Sequence, residues 1–160
     1  METTIKKEFT VTLMIGVAGS GKDTFIANDP ILSKQIILCR DNIRTEIGIK
    51  GEKPFGNKAQ ENKVTEIFNE RLIECCKNKQ SCVINNMNLY RLRRKELIDS
   101  IAQYGPIIQF IVILPPSLNS IIERRYGQID ANILCNMWKS IEYPTSDECE
   151  HIEFHCNGNY

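Results

Sequence analysis

The residues with the most specific chemistry lie near the start of the chain, in Gly16-Val17-Ala18-Gly19-Ser20-Gly21-Lys22. Glycines at these positions let a loop turn its backbone N–H groups inward around a phosphate, and the lysine adds a full positive charge. A strand pattern over 11–15 precedes the loop and a helical pattern follows it, which is the setting that such a loop requires. We therefore expect ATP to bind here together with Mg²⁺. The candidate nucleotide-binding residues are Gly16, Ala18, Gly19, Ser20, Gly21, Lys22, Asp23 and Thr24.

The motif departs from its usual pattern directly after the lysine. Asp23 stands where a serine or threonine would ligate magnesium, and Thr24 follows it. A carboxylate beside a triphosphate is unfavourable unless a cation compensates it, so Asp23 either ligates the metal or turns away as an acid in the first helical turn. Both alternatives stay open. The Gly-Lys-Asp-Thr variant resembles that of phage deoxynucleoside monophosphate kinases, so it does not by itself indicate an inactive site.

A second group of polar residues, Arg40-Asp41-Asn42-Ile43-Arg44, follows the second predicted strand. Asp41 is predicted to cap the next helix, with Arg44 on the same helix face. In isolation this spacing commonly means a cap and a surface arginine. At the carboxyl end of a strand beside a phosphate-binding loop, it favours a base for a hydroxyl group and a clamp for a phosphate.

Over most of its length the chain resembles the polynucleotide 5′-kinase family. The likeness lies in the order of the glycine-rich loop, the Arg40–Arg44 segment, residues 83–89 with Arg93-Arg94, and residues 133–140 and 143–148. The resemblance implies transfer of the γ-phosphoryl group of ATP to the 5′-hydroxyl end of RNA or DNA, in nucleic-acid repair. It makes Lys22, Asp41 and Arg44 catalytic, with Asp41 as the general base and Arg44 on the neighbouring phosphate. It also assigns substrate binding to Arg40, Asn86 and Asn88.

The resemblance also implies an arginine-bearing lid in Glu123-Arg124-Arg125-Tyr126-Gly127. Arg124 or Arg125 would reach the γ-phosphate, and the sequence does not distinguish them. The family usually has an aspartate where this chain has Asn86. We hypothesise that Asp23 supplies the missing carboxylate and is the metal ligand.

Other clusters in the sequence, and other functions, compete with this interpretation. The basic group at 91–95 either follows a nucleic-acid backbone or is a solvated helix face. The Cys and His residues at 149–156 do not have the spacing of a structural zinc site. Two alternative functions stay open: a kinase of nucleotides or other small hydroxyl compounds, and a nucleotide-binding regulator without catalysis.

The elements that must position these residues are five short β-branched runs that alternate with helical patterns, at 11–15, 36–39, 82–85, 107–114 and 151–155. This alternation predicts a doubly wound α/β fold of the P-loop NTPase type, a three-layer α/β/α sandwich with a parallel sheet of four to five strands. The length of 160 residues suits one kinase domain over 1–160. A loop before the longest helix is predicted by the turn-forming residues Gly48, Gly51, Pro54 and Gly56.

Composition restricts the partners. Twenty basic and twenty acidic residues cancel, so no global field attracts nucleic acid or a membrane. Seven cysteines without a C-x-x-C pair indicate reduced thiols in a cytoplasmic protein. No apolar run is long enough to span a bilayer, and assembly into a homo-oligomer is compatible with the sequence.

Overall fold

Five parallel strands form the centre of the molecule in a computed structural model that describes residues 6–49 and 56–156. The strand order is β2-β3-β1-β4-β5, so the chain moves from the central strand β1 first to one side and later to the other. Every predicted strand is present, with ends within one residue of those expected. The strands are β1 (Thr10–Ile15), β2 (Ile36–Leu38), β3 (Cys82–Ile84), β4 (Ile107–Leu114) and β5 (His151–Cys156).

Helices connect the strands, as the parallel pairing requires. Two short 3-10 helices, Leu32–Lys34 and Ala102–Tyr104, complete the connections. The loop predicted around Gly48 and Gly56 falls mainly on residues 50–55, which lie outside the described residues. The α-helices are α1 (Lys22–Asn28), α2 (Arg40–Glu46), α3 (Lys58–Lys77), α4 (Arg91–Ile101), α5 (Leu118–Arg124) and α6 (Ala131–Ser140).

Alternate side chains of β1 enter two separate cores. Leu13 and Ile15 pack with Val64 and Leu72 of α3 on one face of the sheet. Met14 packs on the opposite face, with Ile26 of α1. Because the side chains of a strand alternate between faces, this pattern shows that β1 is covered on both sides of the sheet. The result is the predicted doubly wound α/β sandwich.

A third, smaller cluster lies next to the loop that follows β1. Val17, Leu89 and Ile121 form its buried centre, and Met137 and Trp138 of α6 pack against it. This cluster seats α5 and α6 against the end of β1. Trp138 thus belongs to an apolar helix stripe, as its spacing indicates.

The basic group of α4 is not a single solvated face. Arg94 is only 1% exposed and makes two hydrogen bonds to the carboxylate of Glu148, at 2.9 Å and 3.1 Å. Its three neighbours are each paired with an acid, so little net positive charge is left at this surface. Those pairs are Arg91–Asp147, Arg93–Glu96 and Lys95–Asp99.

Within the described part of the chain, none of the helices is both long enough and apolar enough to cross a membrane.

Candidate active site

The loop that follows β1, residues 16–22, here called the P-loop, is held in a tight turn. Ser20 N donates to Val17 O at 3.2 Å and Gly16 N donates to Met87 O at 3.1 Å. Gly19 and Gly21 have φ values of 80° and 99°, in a region that side chains with a Cβ rarely adopt. Gly21 is the N-cap of α1, so the loop ends where the free N–H groups and partial positive charge of a helix begin.

Lys22 lies inside this turn. Its Nζ donates to the backbone oxygens of Gly16, at 2.8 Å, and Val17, at 3.1 Å. The pKa of Lys22 is lowered from 10.5 to about 8, chiefly by burial. The nearby charge of Arg125 acts in the same direction, and Asp23 and Asp41 act in the opposite one. An ammonium group held this way is placed to exchange carbonyl partners for phosphate oxygens.

Asp23 is exposed, and its Oδ1 accepts a hydrogen bond from Asn85 Nδ2 at 2.5 Å. The carboxylate therefore lies next to the residue directly after β3. The Oδ1 of Asn85 is buried and has no hydrogen-bond partner among the residues that the structure describes. Asn85, which carries no motif signal, is thus the neighbour of Asp23, whereas Asn86 bonds to the backbone of α2.

Asn86 and Asn88 bond to the backbone near the strand ends. The Oδ1 of Asn86 accepts from Arg40 N at 3.0 Å, which satisfies a free N–H in the first turn of α2. The Nδ2 of Asn88 donates to Met14 O at 2.7 Å. These bonds tie β3 to α2 and to β1, so both asparagines fix the relative positions of the candidate site segments.

Asp41 and Arg44 lie on α2 at the carboxyl end of β2. Asp41 does not cap this helix, contrary to the prediction, because the helix already begins at Arg40 and Cys39 is the N-cap residue. The predicted shared face is present: Arg44 Nη1 donates to Asp41 Oδ1 at 2.6 Å. The side chain of Asp41 is 81% exposed, and that of Arg44 is 11% exposed.

A residue without a recognisable sequence signal completes this side of the site. Glu61 of α3 accepts from Arg44 Nε at 2.9 Å and from Arg44 Nη2 at 3.0 Å. It also accepts from Arg40 Nη2 at 3.3 Å and from Gly56 N at 2.9 Å. These donors, chiefly Arg44, lower the pKa of Glu61 to about 2 although desolvation opposes the shift. Glu61 is therefore an anion at every physiological pH.

Cys39, the N-cap residue of α2, also lies near this site, because its charge would act on Lys22. Its charged neighbours include Asp41 and Asp23. Burial is the main cause that raises the pKa of Cys39. The raised pKa favours the neutral thiol over the thiolate.

The segment after β4 brings two arginines to the P-loop. Arg124 Nη1 donates to Gly19 O at 2.7 Å. A Cβ built on Gly19 would lie 3.3 Å from Arg125 Cγ, so the side chain of Arg125 also passes close to the loop. Its positive charge acts on Lys22. Tyr126 is 87% exposed and has no stacking partner among the described aromatic rings.

The oxygen donors near the P-loop suit magnesium in type. Asp23 offers a carboxylate and Thr24 a hydroxyl group, and both are exposed. Within 6–49 and 56–156, no three acidic, His or Cys side chains form a group that could hold a metal by themselves. Magnesium often takes only one or two protein carboxylates and completes its shell with water and substrate phosphates. The donor set fits such a shared metal.

The fold and this combination of groups define a P-loop kinase domain: a glycine-rich loop between β1 and α1, a lysine inside that loop, two arginines beside it, and a carboxylate at the carboxyl end of β2. Residues 11–130 match the model of an AAA domain family, AAA_33. The chain belongs to that family. No curated protein matches it in sequence.

Solved structures share the fold at low sequence identity. A chain of the Pnkp1/Rnl/Hen1 complex is 19% identical with a TM-score of 0.64, over 81% of this chain and 43% of that chain. A protein named as a kinase from Chloroflexus aurantiacus J-10-fl is 10% identical with a TM-score of 0.72, over 94% and 89% of the two chains. A gluconokinase from Sinorhizobium meliloti 1021 is 18% identical with a TM-score of 0.59, over 97% and 86%. This chain spans less than half of the chain in the Pnkp1 complex.

Proposed function

We propose that this chain is an ATP-dependent polynucleotide 5′-hydroxyl kinase. The observation that carries the proposal is the placement of Asp41 and Arg44 at the carboxyl end of β2, close enough to the P-loop that the charge of Asp41 acts on Lys22. A base and a phosphate clamp then lie across the site from the donor nucleotide. One set of structural neighbours belongs to an assembly named as an RNA repair complex, which agrees with such an acceptor.

In the proposed reaction the protein chiefly positions and neutralises the reactants. Phosphoryl transfer passes through a loose transition state whose charge is spread over the phosphoryl oxygens, so cationic groups supply most of the protein's contribution. Lys22 and the P-loop amides hold the β and γ phosphates. Asp41 orients the 5′-hydroxyl group and accepts its proton as the new O–P bond forms. The bond between the γ-phosphorus and the bridging oxygen of ATP breaks in the same step, and ADP leaves. Arg44 binds the phosphate next to that hydroxyl group.

We assign the lid contact to Arg125. Its charge acts on Lys22, at the centre of the phosphate site, and its Nη1 donates to Gln128 Oε1 within its own segment at 3.1 Å. Arg124 Nη1 donates instead to the P-loop, at Gly19 O. Arg124 then fixes the lid on the P-loop, and Arg125 faces the γ-phosphate. Magnesium, when bound, neutralises phosphate charge, and Asp23 with Thr24 would hold it from the protein side.

A kinase of a small hydroxyl compound is the second candidate, and one observation favours it. Arg40 and Arg44 are neutralised by Asp41 and Glu61, and the four basic residues of α4 are paired as well. A strand of nucleic acid usually binds along a continuous cationic groove. A small acceptor needs only a local pocket.

One assay separates the candidates. The protein is incubated with γ-labelled ATP, Mg²⁺ and a panel of 5′-hydroxyl RNA and DNA oligonucleotides, nucleoside monophosphates and sugars, with Asp41→Asn as the control for the base. We expect label on oligonucleotide ends in the wild type and a loss of at least about a hundredfold in Asp41→Asn. Label on monophosphates or sugars alone would reject the polynucleotide proposal. ATP binding without turnover on any acceptor would favour the regulator.

We also propose a cytoplasmic location. The seven cysteines are free thiols, and four of them are buried, as in proteins of reducing compartments.

A further inference from the structure

Glu61 is the carboxylate on which both arginines of the acceptor side converge. Its two oxygens accept from Arg44 Nε and Nη2, at 2.9 Å and 3.0 Å, and this two-point contact fixes the plane of the guanidinium group. Arg40 adds a third bond at 3.3 Å. Asp41 binds the remaining side of Arg44 through Nη1. Arg44 is consequently held between the candidate base and Glu61.

The backbone around Glu61 is itself fixed. Asn57 and Gln60 form a reciprocal capping box at the start of α3, which places Glu61 in the first ordered turn. Gly56 N donates to Glu61 Oε1 at 2.9 Å. The carboxylate is therefore anchored independently of Arg44, as a group that positions another side chain must be.

We propose that Glu61 is a positioning residue for the acceptor side: it holds Arg44 in the orientation that receives the acceptor phosphate. The inference rests on the proposed kinase function. A free arginine samples many rotamers, and ordering it when the acceptor binds would weaken binding. Glu61 orders the side chain in advance. Arg44 donates to both Glu61 and Asp41. Without Glu61, the guanidinium group would keep its bond to the carboxylate of Asp41, the candidate base.

The competing role for Glu61 is to brace α2 against α3 and nothing more. The chain offers a matched control, because Arg71 of α3 and Glu46 of α2 form a second two-point ion pair between the same helices. Those side chains are 43% and 49% exposed, and neither belongs to the candidate site. Glu46→Gln therefore removes a brace of the same kind without touching Arg44.

The test compares wild type, Glu61→Gln and Glu46→Gln in steady-state phosphorylation of the best acceptor from the panel, with ATP affinity measured separately by calorimetry. Loss of a charge-assisted, two-point bond predicts a rise of about tenfold in the acceptor KM of Glu61→Gln. ATP affinity and the kinetics of Glu46→Gln should stay within about twofold of wild type. An acceptor KM that is unchanged in Glu61→Gln, or equally raised in Glu46→Gln, would overturn the inference.

A double-mutant cycle tests whether Glu61 acts through Arg44. Arg44→Lys removes the two-point geometry and should raise the acceptor KM in wild type but add little in the Glu61→Gln background. Additive effects would show that Glu61 works independently and would contradict the proposal. If thermal melting shows that Glu61→Gln does not fold, Glu61→Asp replaces it under the same criteria. Absence of any acceptor turnover in wild type would instead count against the proposed function.

Discussion

Lys22 is the residue whose protonation should report nucleotide binding. Its pKa of about 8 leaves it mostly neutral in the free protein at about pH 9, whereas a bound triphosphate keeps it charged. On binding ATP the protein should therefore take up close to one proton at about pH 9 and almost none at about pH 6.5. Its affinity for ATP should fall as the pH rises above about 8. Calorimetry in buffers of different ionisation heat measures the uptake.

The control for this prediction is Lys22→Arg, which keeps the charge but does not titrate in this range. It should bind ATP without proton uptake. Equal proton uptake by wild type and Lys22→Arg on binding ATP would contradict the assignment of the proton to Lys22.

The lowered pKa of Lys22 has a second consequence, for the free protein. Between about pH 8 and 10.5 the unfolded chain binds more protons at Lys22 than the folded one does, so the free energy of unfolding should rise with pH.

Asp23 allows two opposite outcomes at the level of one residue. If it ligates the metal, Asp23→Ser should lose Mg²⁺-dependent turnover, and the gain in ATP affinity from Mg²⁺ over EDTA should shrink by about tenfold. If it is only a helix acid, Asp23→Ser should bind ATP more tightly with or without metal, since a repulsive charge is gone. Equilibrium titration of ATP in both media separates them, with Asp99→Ser on α4 as a surface control. An unaffected rate would discard the metal assignment.

At the scale of elements, periodicity predicted the five strands because β-branched runs are short and clearly bounded. The same reasoning failed where a side chain's partner is far along the chain. Arg94 belongs to a group of four cations in the sequence of α4, yet its side chain is buried. It pairs there with Glu148, which lies 54 residues further along the chain. Glu61 is an ordinary acid in a helical pattern, and only the packing of α3 on α2 brings it to Arg44. The start of α2 was also misplaced by two residues, because Cys39 rather than Asp41 is the N-cap residue.

Arg94 should be a major determinant of stability, since it joins α4 to the segment before β5. It donates to Glu148 and to the backbone oxygens of Asn88 and Glu142. Arg94→Met should lower the free energy of unfolding by about 3 kcal/mol, because the buried carboxylate of Glu148 is left unpaired. Denaturant unfolding measures the change.

The neighbouring Arg93, whose side chain is 75% exposed, supplies the control: Arg93→Met should change stability by less than about 0.5 kcal/mol. A second variant tests the cause. Replacing both partners, as Arg94→Met with Glu148→Leu, should recover part of the loss because no buried charge remains. If Arg94→Met and Arg93→Met lowered the free energy of unfolding equally, burial of the Arg94 ion pair would add nothing specific to stability.

At the scale of the whole molecule, the sequence already indicated the fold class and the donor site, since the P-loop combines a local motif with its flanking elements. The acceptor side was less predictable, because its character depends on how charges pair in space. Equal numbers of acidic and basic residues do not by themselves reveal that the α4 cations and the α2 arginines are neutralised one by one. That pairing limits how much of a nucleic acid this surface can hold.

Acceptor binding should consequently depend only weakly on salt. If Arg44 and Arg40 contact one or two phosphates of a single strand, the acceptor KM at saturating ATP should rise less than about tenfold between about 50 mM and 200 mM salt. A groove that held six or more phosphates of a single strand would instead weaken acceptor binding by roughly several hundredfold or more. Arg93→Gln on α4 should leave the salt slope unchanged, because that cation lies outside the site. A steep slope, or one that Arg93→Gln flattens, would mean that nucleic acid follows α4 after all and that the acceptor contact extends well beyond its 5′ end.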